Sequence, residues 1–109
     1  MNRKQTLQEC FQSSPRKTIK AKGYFDVYEK LLKKYRGKDI TLVEVGVLDG
    51  GSLHMWRAYF GPKARIIGVE YNADAEKLAN DGFEIYIGNQ ADPKFWQEFF
   101  QQVGTVDVL

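Results

Sequence analysis

Ile40-Thr41-Leu42-Val43-Glu44-Val45-Gly46-Val47-Leu48-Asp49-Gly50-Gly51-Ser52 carries the strongest structural signal in the chain. The nearly all-apolar run Ile40 to Val45 predicts a strand covered on both faces. It breaks into a glycine-bearing turn, and a helix-like stretch begins near Leu53. Gly46 and Gly50 permit positive φ and a close backbone approach, while the first N–H groups of the helix can hold an anionic group such as a carboxylate. Strand, glycine turn and helix in this order describe a nucleotide-site turn. A second strand-like run, Arg65 to Val69, ends on Glu70, about 20 residues past the glycines, where a doubly wound fold places the acid that binds ribose hydroxyls. Together the two features point to a cofactor with an adenosyl moiety.

Working outward, Ser13-Ser14-Pro15 marks a turn or linker, so residues 1–14 form a loose segment or a short helix. From Tyr24, the apolar positions Phe25, Tyr28, Leu31, Leu32 and Tyr35 recur at helical spacing and predict an amphipathic helix that stops at Gly37, with Lys30, Lys33 and Lys34 outward. Leu53, Trp56 and Phe60 share a stripe on the helix after the glycine turn, which Gly61-Pro62 ends. Asn72-Ala73-Asp74 caps a short helix through Asn80, and Phe83–Ile87 is a third strand. Pro93 then starts a helix carrying Phe95, Trp96, Phe99, Phe100 and Val103, Gly104 closes it, and Val106–Leu109 begins a fourth strand. Alternation of strands and helices predicts an α/β fold: the amino-terminal half of a Rossmann-like doubly wound parallel sheet in the order 3-2-1-4, preceded by a helical segment. The chain stops inside or just after strand four, so the sheet reads as unfinished.

The 109 residues suit one domain, which buries roughly 65% of the surface its unfolded chain exposes. Within it we divide a basic helical segment, 1–38, from the cofactor-binding half-domain, 39–109. Apolar residues make up 43% and charged residues 28%, too apolar for a disordered chain. The net charge of +2 conceals an asymmetry: residues 1–38 carry eleven Lys or Arg against three acids, and residues 39–109 carry five against eleven, giving +8 and −6. Such an arm can hold an anionic acceptor, a nucleic acid or an acidic surface, or serve only as a solvated face. No groove-reading or stacking motif accompanies it, which argues against nucleic acid. The lone Cys10, the polar start Met-Asn-Arg-Lys-Gln and the lack of a run near 18 apolar residues predict a cytoplasmic protein with no membrane partner.

Leu48 occupies the place of the middle glycine in Gly-x-Gly-x-x-Gly. In a dinucleotide enzyme that glycine lets the backbone reach the pyrophosphate, so Leu48 disfavours a nicotinamide dinucleotide and suits a ligand without pyrophosphate. Here the chain resembles the class I S-adenosylmethionine-dependent methyltransferases. Glu44-x-Gly46-x-x-x-Gly50-x-Ser52 is similar to that family's first motif, Gly68-Val69-Glu70 to its second, and Gly88-Asn89-Gln90-x-Asp92 to the loop after strand three. The last resembles a subgroup that includes macrolide sugar O-methyltransferases and proteins described as cephalosporin hydroxylases. The match covers residues 20–109 and is specific as a set.

The resemblance implies a role for each position. Glu44 and the Gly46 backbone face the methionine ammonium, Ser52 and the amides near Gly50 its carboxylate, and Glu70 the ribose hydroxyls. Tyr71 flanks the adenine, with Asn89 and Gln90 at its edge. It also implies an acidic segment after strand four that binds a divalent metal and positions the acceptor, a segment that lies beyond residue 109. The implied reaction is O-methylation of a small molecule or sugar by in-line displacement, which depends mainly on a near-attack geometry, aided by a base. No residue of the 109 is a convincing base, and the chain is expected to be inactive alone.

Plainer readings stand beside these. Glu44 caps a turn, Glu70 is a solvated strand end, Tyr71 is surface packing, and Gln90 and Asp92 are helix-entry residues before Pro93. His54 has no partner motif and reads as a surface or packing residue; Trp56, Trp96 and the Phe stripe read as core. One His, one Cys and no converging carboxylates leave no metal site, and no nucleophilic triad is visible. The rival functions are a non-catalytic binding or assembly module that keeps the fold, and a nicotinamide dinucleotide domain. An apolar strand-four edge at Val106, Val108 and Leu109 predicts a homo-oligomer or a sticky, marginal monomer.

Overall fold

The computed structural model describes residues 5–12, 24–47 and 50–109. Its elements in chain order are helix α1 (Leu7–Gln12), helix α2 (Tyr24–Leu32) followed by a 3-10 turn (Lys33–Tyr35), strand β1 (Thr41–Val45), helix α3 (Gly51–Phe60), strand β2 (Arg65–Glu70), a 3-10 helix (Ala73–Asp81), strand β3 (Glu84–Ile87) and helix α4 (Pro93–Val103). All strand pairing is parallel: Thr41 lies opposite Arg65 at the start of the β1–β2 ladder, and Ile67 opposite Glu84 at the start of β2–β3. The sheet order is therefore 3-2-1, with β2 central.

Period-two alternation sends the apolar side chains of β1 and β2 to both faces of the sheet. Leu42 and Ile66 join the core beneath α1 and α3, with Leu7, Leu53, Tyr59 and Phe60. Their neighbours Val43, Ile67 and Val69 point to the opposite face and pack on Phe99 and Val103 of α4. Full burial of each such side chain stabilises the fold by about 1.5–3 kcal/mol. Gly68 is required by packing: a Cβ there would lie 2.9 Å from Val47 Cγ1, 3.1 Å from Ile85 Cδ1 and 3.3 Å from Leu53 Cδ1. The missing side chain lets α3 lie close on the central strand.

The expected fourth strand is a single parallel bridge between Leu42 and Val108 on the β1 edge away from β2. The Val43 N–H donates to the Val108 carbonyl at 2.9 Å, the Asp107 N–H to the Thr41 carbonyl at 2.9 Å, and the Thr41 N–H to Asp107 Oδ2 at 2.8 Å. The Asp107 side chain thus takes the Thr41 amide beside the one bridge. Val106 and Val108 are half-buried against the two cores, and Leu109 alone of the three is exposed.

The amphipathic reading of α2 holds only in part. Leu32 is buried and Lys30, Lys33 and Lys34 are outward, but Leu31 is 61% and Tyr28 39% exposed, and the regular helix ends at Leu32, not Gly37. The helix is instead fastened through polar groups near its end. Glu29 Oε1 accepts from the Leu7 N–H at 3.3 Å. Beyond the helix, Arg36 donates from Nε to the Tyr59 carbonyl at 2.8 Å with its guanidinium 4.1 Å from the Tyr59 ring centre. Burial, and then Glu29, push the Tyr59 phenol well above its ordinary range. Burial likewise raises the Cys10 thiol, which makes it an inert core group. Phe25 side-chain packing lies outside the described residues.

Candidate functional site

The site lies at the carboxyl ends of the parallel strands, where an open α/β sheet offers a crevice. Gly46 follows β1 with φ 78°, and its N–H donates to the Val69 carbonyl at 2.8 Å, so the chain leaves β1 while still tied to β2. A Cβ at Gly46 would meet nothing within 4 Å, which leaves open space over the turn. Gly50, at φ 87°, is the residue from which α3 starts, and its N–H donates to the Val47 carbonyl at 2.8 Å. Both glycines thus adopt the left-handed conformation expected of them. Leu48, whose size disfavours a dinucleotide, lies with Asp49 outside the described residues.

Across the sheet, Glu70 ends β2. Its Oε2 accepts from the Asn72 N–H at 3.0 Å, which orients the carboxylate at the strand terminus. Asn72 in turn caps the following 3-10 helix by accepting from the Asp74 N–H. Beyond β3, Gly88 donates its N–H to the Glu70 carbonyl at 3.0 Å, Asn89 Oδ1 accepts from the Ala91 N–H at 2.9 Å, and the Asp92 N–H donates to the Asn89 carbonyl at 3.0 Å. Asp92 Oδ1 accepts from the Lys94 N–H, so Asp92 is the amino-terminal cap of α4.

These segments enclose a cleft of ≈ 200 Å³ lined by Val45, Gly46, Val69, Glu70, Tyr71, Gly88, Asn89 and Gln90. Five sequence-predicted residues, Gly46, Glu70, Tyr71, Asn89 and Gln90, therefore converge. Three do not line it. Gly50 and Ser52 are buried at the start of α3. Glu44 is half-buried on the other face of β1, where Oε1 accepts from Trp56 Nε1 at 3.1 Å, and it borders a separate groove of ≈ 280 Å³ with Tyr28, Leu32, Val108 and Leu109. Val45 lines both cavities.

Other contacts escaped the sequence. His54 does have a partner: its Nε2 lies 2.8 Å from Asp81 Oδ2, and its ring meets Phe83 edge-on at 5.0 Å. The pair joins α3 to the end of the 3-10 helix across 27 residues, a separation that no local pattern reveals. Trp96 is half-buried and donates from Nε1 to the Gln90 carbonyl at 2.7 Å. Trp56, by contrast, is buried as predicted. Among the described residues no group of three or more His, Cys, Asp or Glu side chains is placed to hold a metal ion. No helix among them is long and apolar enough to cross a membrane.

The cleft chemistry suits the nucleoside end of an adenosyl ligand: a carboxylate for vicinal hydroxyls, an aromatic ring, two amide side chains, and a glycine with no Cβ over the turn. Its volume is below the roughly 300–1,000 Å³ of whole ligand pockets, which suits a part of such a ligand and not the whole.

A parallel α/β sheet with this cleft is the Rossmann-like arrangement of the class I S-adenosylmethionine-dependent methyltransferases, and relatives bear out that resemblance. The chain is 28% identical over 93 residues to 8-demethyl-8-alpha-L-rhamnosyl tetracenomycin-C 2'-O-methyltransferase of Streptomyces olivaceus, a match spanning 79% of this chain and 24% of that protein. It is 31% identical over 90 residues to 8-demethyl-8-(2-methoxy-alpha-L-rhamnosyl)-tetracenomycin-C 3'-O-methyltransferase of the same organism, spanning 76% of this chain and 23% of the relative. Among solved structures, MycE methyltransferase from the mycinamycin biosynthetic pathway, in complex with Mg, SAH and mycinamycin VI, superposes with a TM-score of 0.77 at 25% identity, over 98% of this chain and 27% of that one. Its complex with Mg and SAH gives 0.74 at 24% identity, over 94% and 26%. The chain thus spans about a quarter of the proteins it matches. No protein-family profile matches it.

Proposed function

We propose that the chain is the S-adenosylmethionine-binding part of an O-methyltransferase that acts on a hydroxyl of a sugar or other small molecule. The observation that carries this reading is the convergence of Gly46, Glu70, Tyr71, Asn89 and Gln90 on one cleft at the carboxyl ends of the strands. When bound, the cofactor supplies an electrophilic methyl group on a sulfonium. The chain's residues bind and orient it. Glu70, with one oxygen already held by the Asn72 amide, accepts from the ribose hydroxyls. Tyr71 flanks the adenine, while Asn89 and Gln90 meet its edge. The Gly46 backbone serves the methionine ammonium and the start of α3 around Ser52 its carboxylate, as the amino-terminus of a helix favours an anion. Glu44, turned to Trp56 beside the other groove, and the Gly50 amide, bonded to the Val47 carbonyl, make no direct contact in this reading. Neither a base nor a metal is assigned to these residues.

In this reading the complete sheet has the order 3-2-1-4, a proposal supported by the Leu42–Val108 bridge on the outer edge of β1. A cytoplasmic location is proposed from the lone, buried Cys10.

A thermal-shift titration of the chain with S-adenosylhomocysteine and with NAD tests the assignment. At one hundred times the dissociation constant a specific ligand stabilises by about 2.7 kcal/mol, so S-adenosylhomocysteine should raise the midpoint and NAD should not. A rise with NAD alone, or with neither, contradicts the proposal.

A further inference from the structure

Helix α4 presents two aromatic side chains to the 88–90 loop rather than only to the core. Trp96 donates from Nε1 to the Gln90 carbonyl at 2.7 Å. The Phe95 ring lies against Gly88 so closely that a Cβ there would stand 2.2 Å from two ring atoms. Neither ring is loose: Trp96 meets Phe95 edge-on at 5.2 Å and Phe99 edge-on at 5.3 Å, and it stacks on Phe100 at 5.8 Å. Phe99 is buried against the sheet. The loop is thus held at Gly88 by packing and at Gln90 by a directed hydrogen bond, while Asn89 and Gln90 are exposed at the cleft.

Resting on the function proposed above, we infer that Trp96 and Phe95 are positioning residues that fix the 88–90 loop for recognition of the cofactor's base, and that Trp96 acts through the Gln90 carbonyl. A half-buried indole N–H needs an acceptor, and the one it takes here is the carbonyl of a residue that lines the cleft. Pre-ordering the loop lowers the cost of binding because its backbone is not immobilised by the ligand. Trp96 governs the base side, since the Glu70 carboxylate is oriented by the Asn72 amide and touches neither Trp96 nor the Gln90 carbonyl that Trp96 holds.

The test is Trp96→Phe, which keeps an aromatic ring and deletes the donor. Affinity is measured by titration calorimetry for S-adenosylhomocysteine and for S-ribosylhomocysteine, the same ligand without its base. Loss of one neutral hydrogen bond should weaken the adenosyl ligand roughly three- to tenfold and leave the ribosyl ligand unchanged. Phe95→Leu, which withdraws the ring from Gly88 without touching the cleft lining, should produce the same selective loss and serves if the first variant does not fold. Unchanged affinity for the adenosyl ligand, or equal weakening of both ligands, overturns the inference while the functional reading stands. Failure of the unmodified chain to bind either ligand overturns both.

Discussion

The two edges of the sheet are built differently. On the β3 side every turn at the cleft is tied by a named bond: Gly88 to Glu70, Asn72 to Glu70, Ala91 to Asn89, Trp96 to Gln90 and Lys94 to Asp92. On the β1 side the bonds at Thr41 and Val43 tie only the 107–108 segment, and the groove beside it is bordered by the exposed Tyr28 and Leu109 and by Glu44, with a side-chain bond from Trp56 to Glu44. Polar, directed contacts fix small geometries, whereas apolar surfaces fix only proximity. The cleft at Glu70 is thus organised by bonds within its own loops, and the β1 groove mainly by the packing of the side chains that border it.

The largest expected effect is at the glycine turn. Gly50→Val places a β-branched residue at φ 87°, where such a side chain is strongly disfavoured, and strain there costs about 1–3 kcal/mol. Cofactor binding should vanish in a calorimetric titration while circular dichroism still reports the fold. Wild-type affinity would show that Gly50 does not shape the site.

Next comes Glu70→Ala, which removes a charged acceptor while leaving the β2 ladder intact. Hydrogen bonds to charged groups are worth roughly 1.5–3 kcal/mol, so the dissociation constant should rise about one to two decades. An unchanged constant with the fold intact would assign Glu70 to the solvated strand end.

The smallest effect sharpens the contrast from the other edge. Val108→Ala removes part of a half-buried side chain and should lower stability by about 1 kcal/mol or less, read from the denaturant midpoint, with cofactor affinity within twofold of the parent. A tenfold loss of affinity would show that the two edges are coupled.

Much of this was legible because the signals were local. The helices start where Pro93 and the Asn72 and Asp92 caps place them, and the strands are where apolar runs meet glycine turns. Glu70 was legible because a glycine turn and a strand-end acid have a fixed spacing in this architecture, and the 88–90 loop because Gly88-Asn89-Gln90-x-Asp92 resembles the loop after strand three in the methyltransferases. The reduction of the fourth strand to one bridge was not, since its contacts, such as that of Asp107 with the Thr41 amide, span 66 residues. Nor was the exposure of Leu31, because helical spacing predicts a stripe without saying what covers it. Trp96 was read as core from its stripe, and its hydrogen bond to Gln90 depends on how the loop folds back over α4.

The most direct test of the central claim is a backbone amide chemical-shift titration of the chain with S-adenosylhomocysteine. Saturable shifts should concentrate at Gly46, Glu70, Tyr71, Gly88, Asn89 and Gln90, with little change at Tyr28, Leu32 and Val108. Absence of saturable shifts, or shifts concentrated along the β1 groove, would contradict the account.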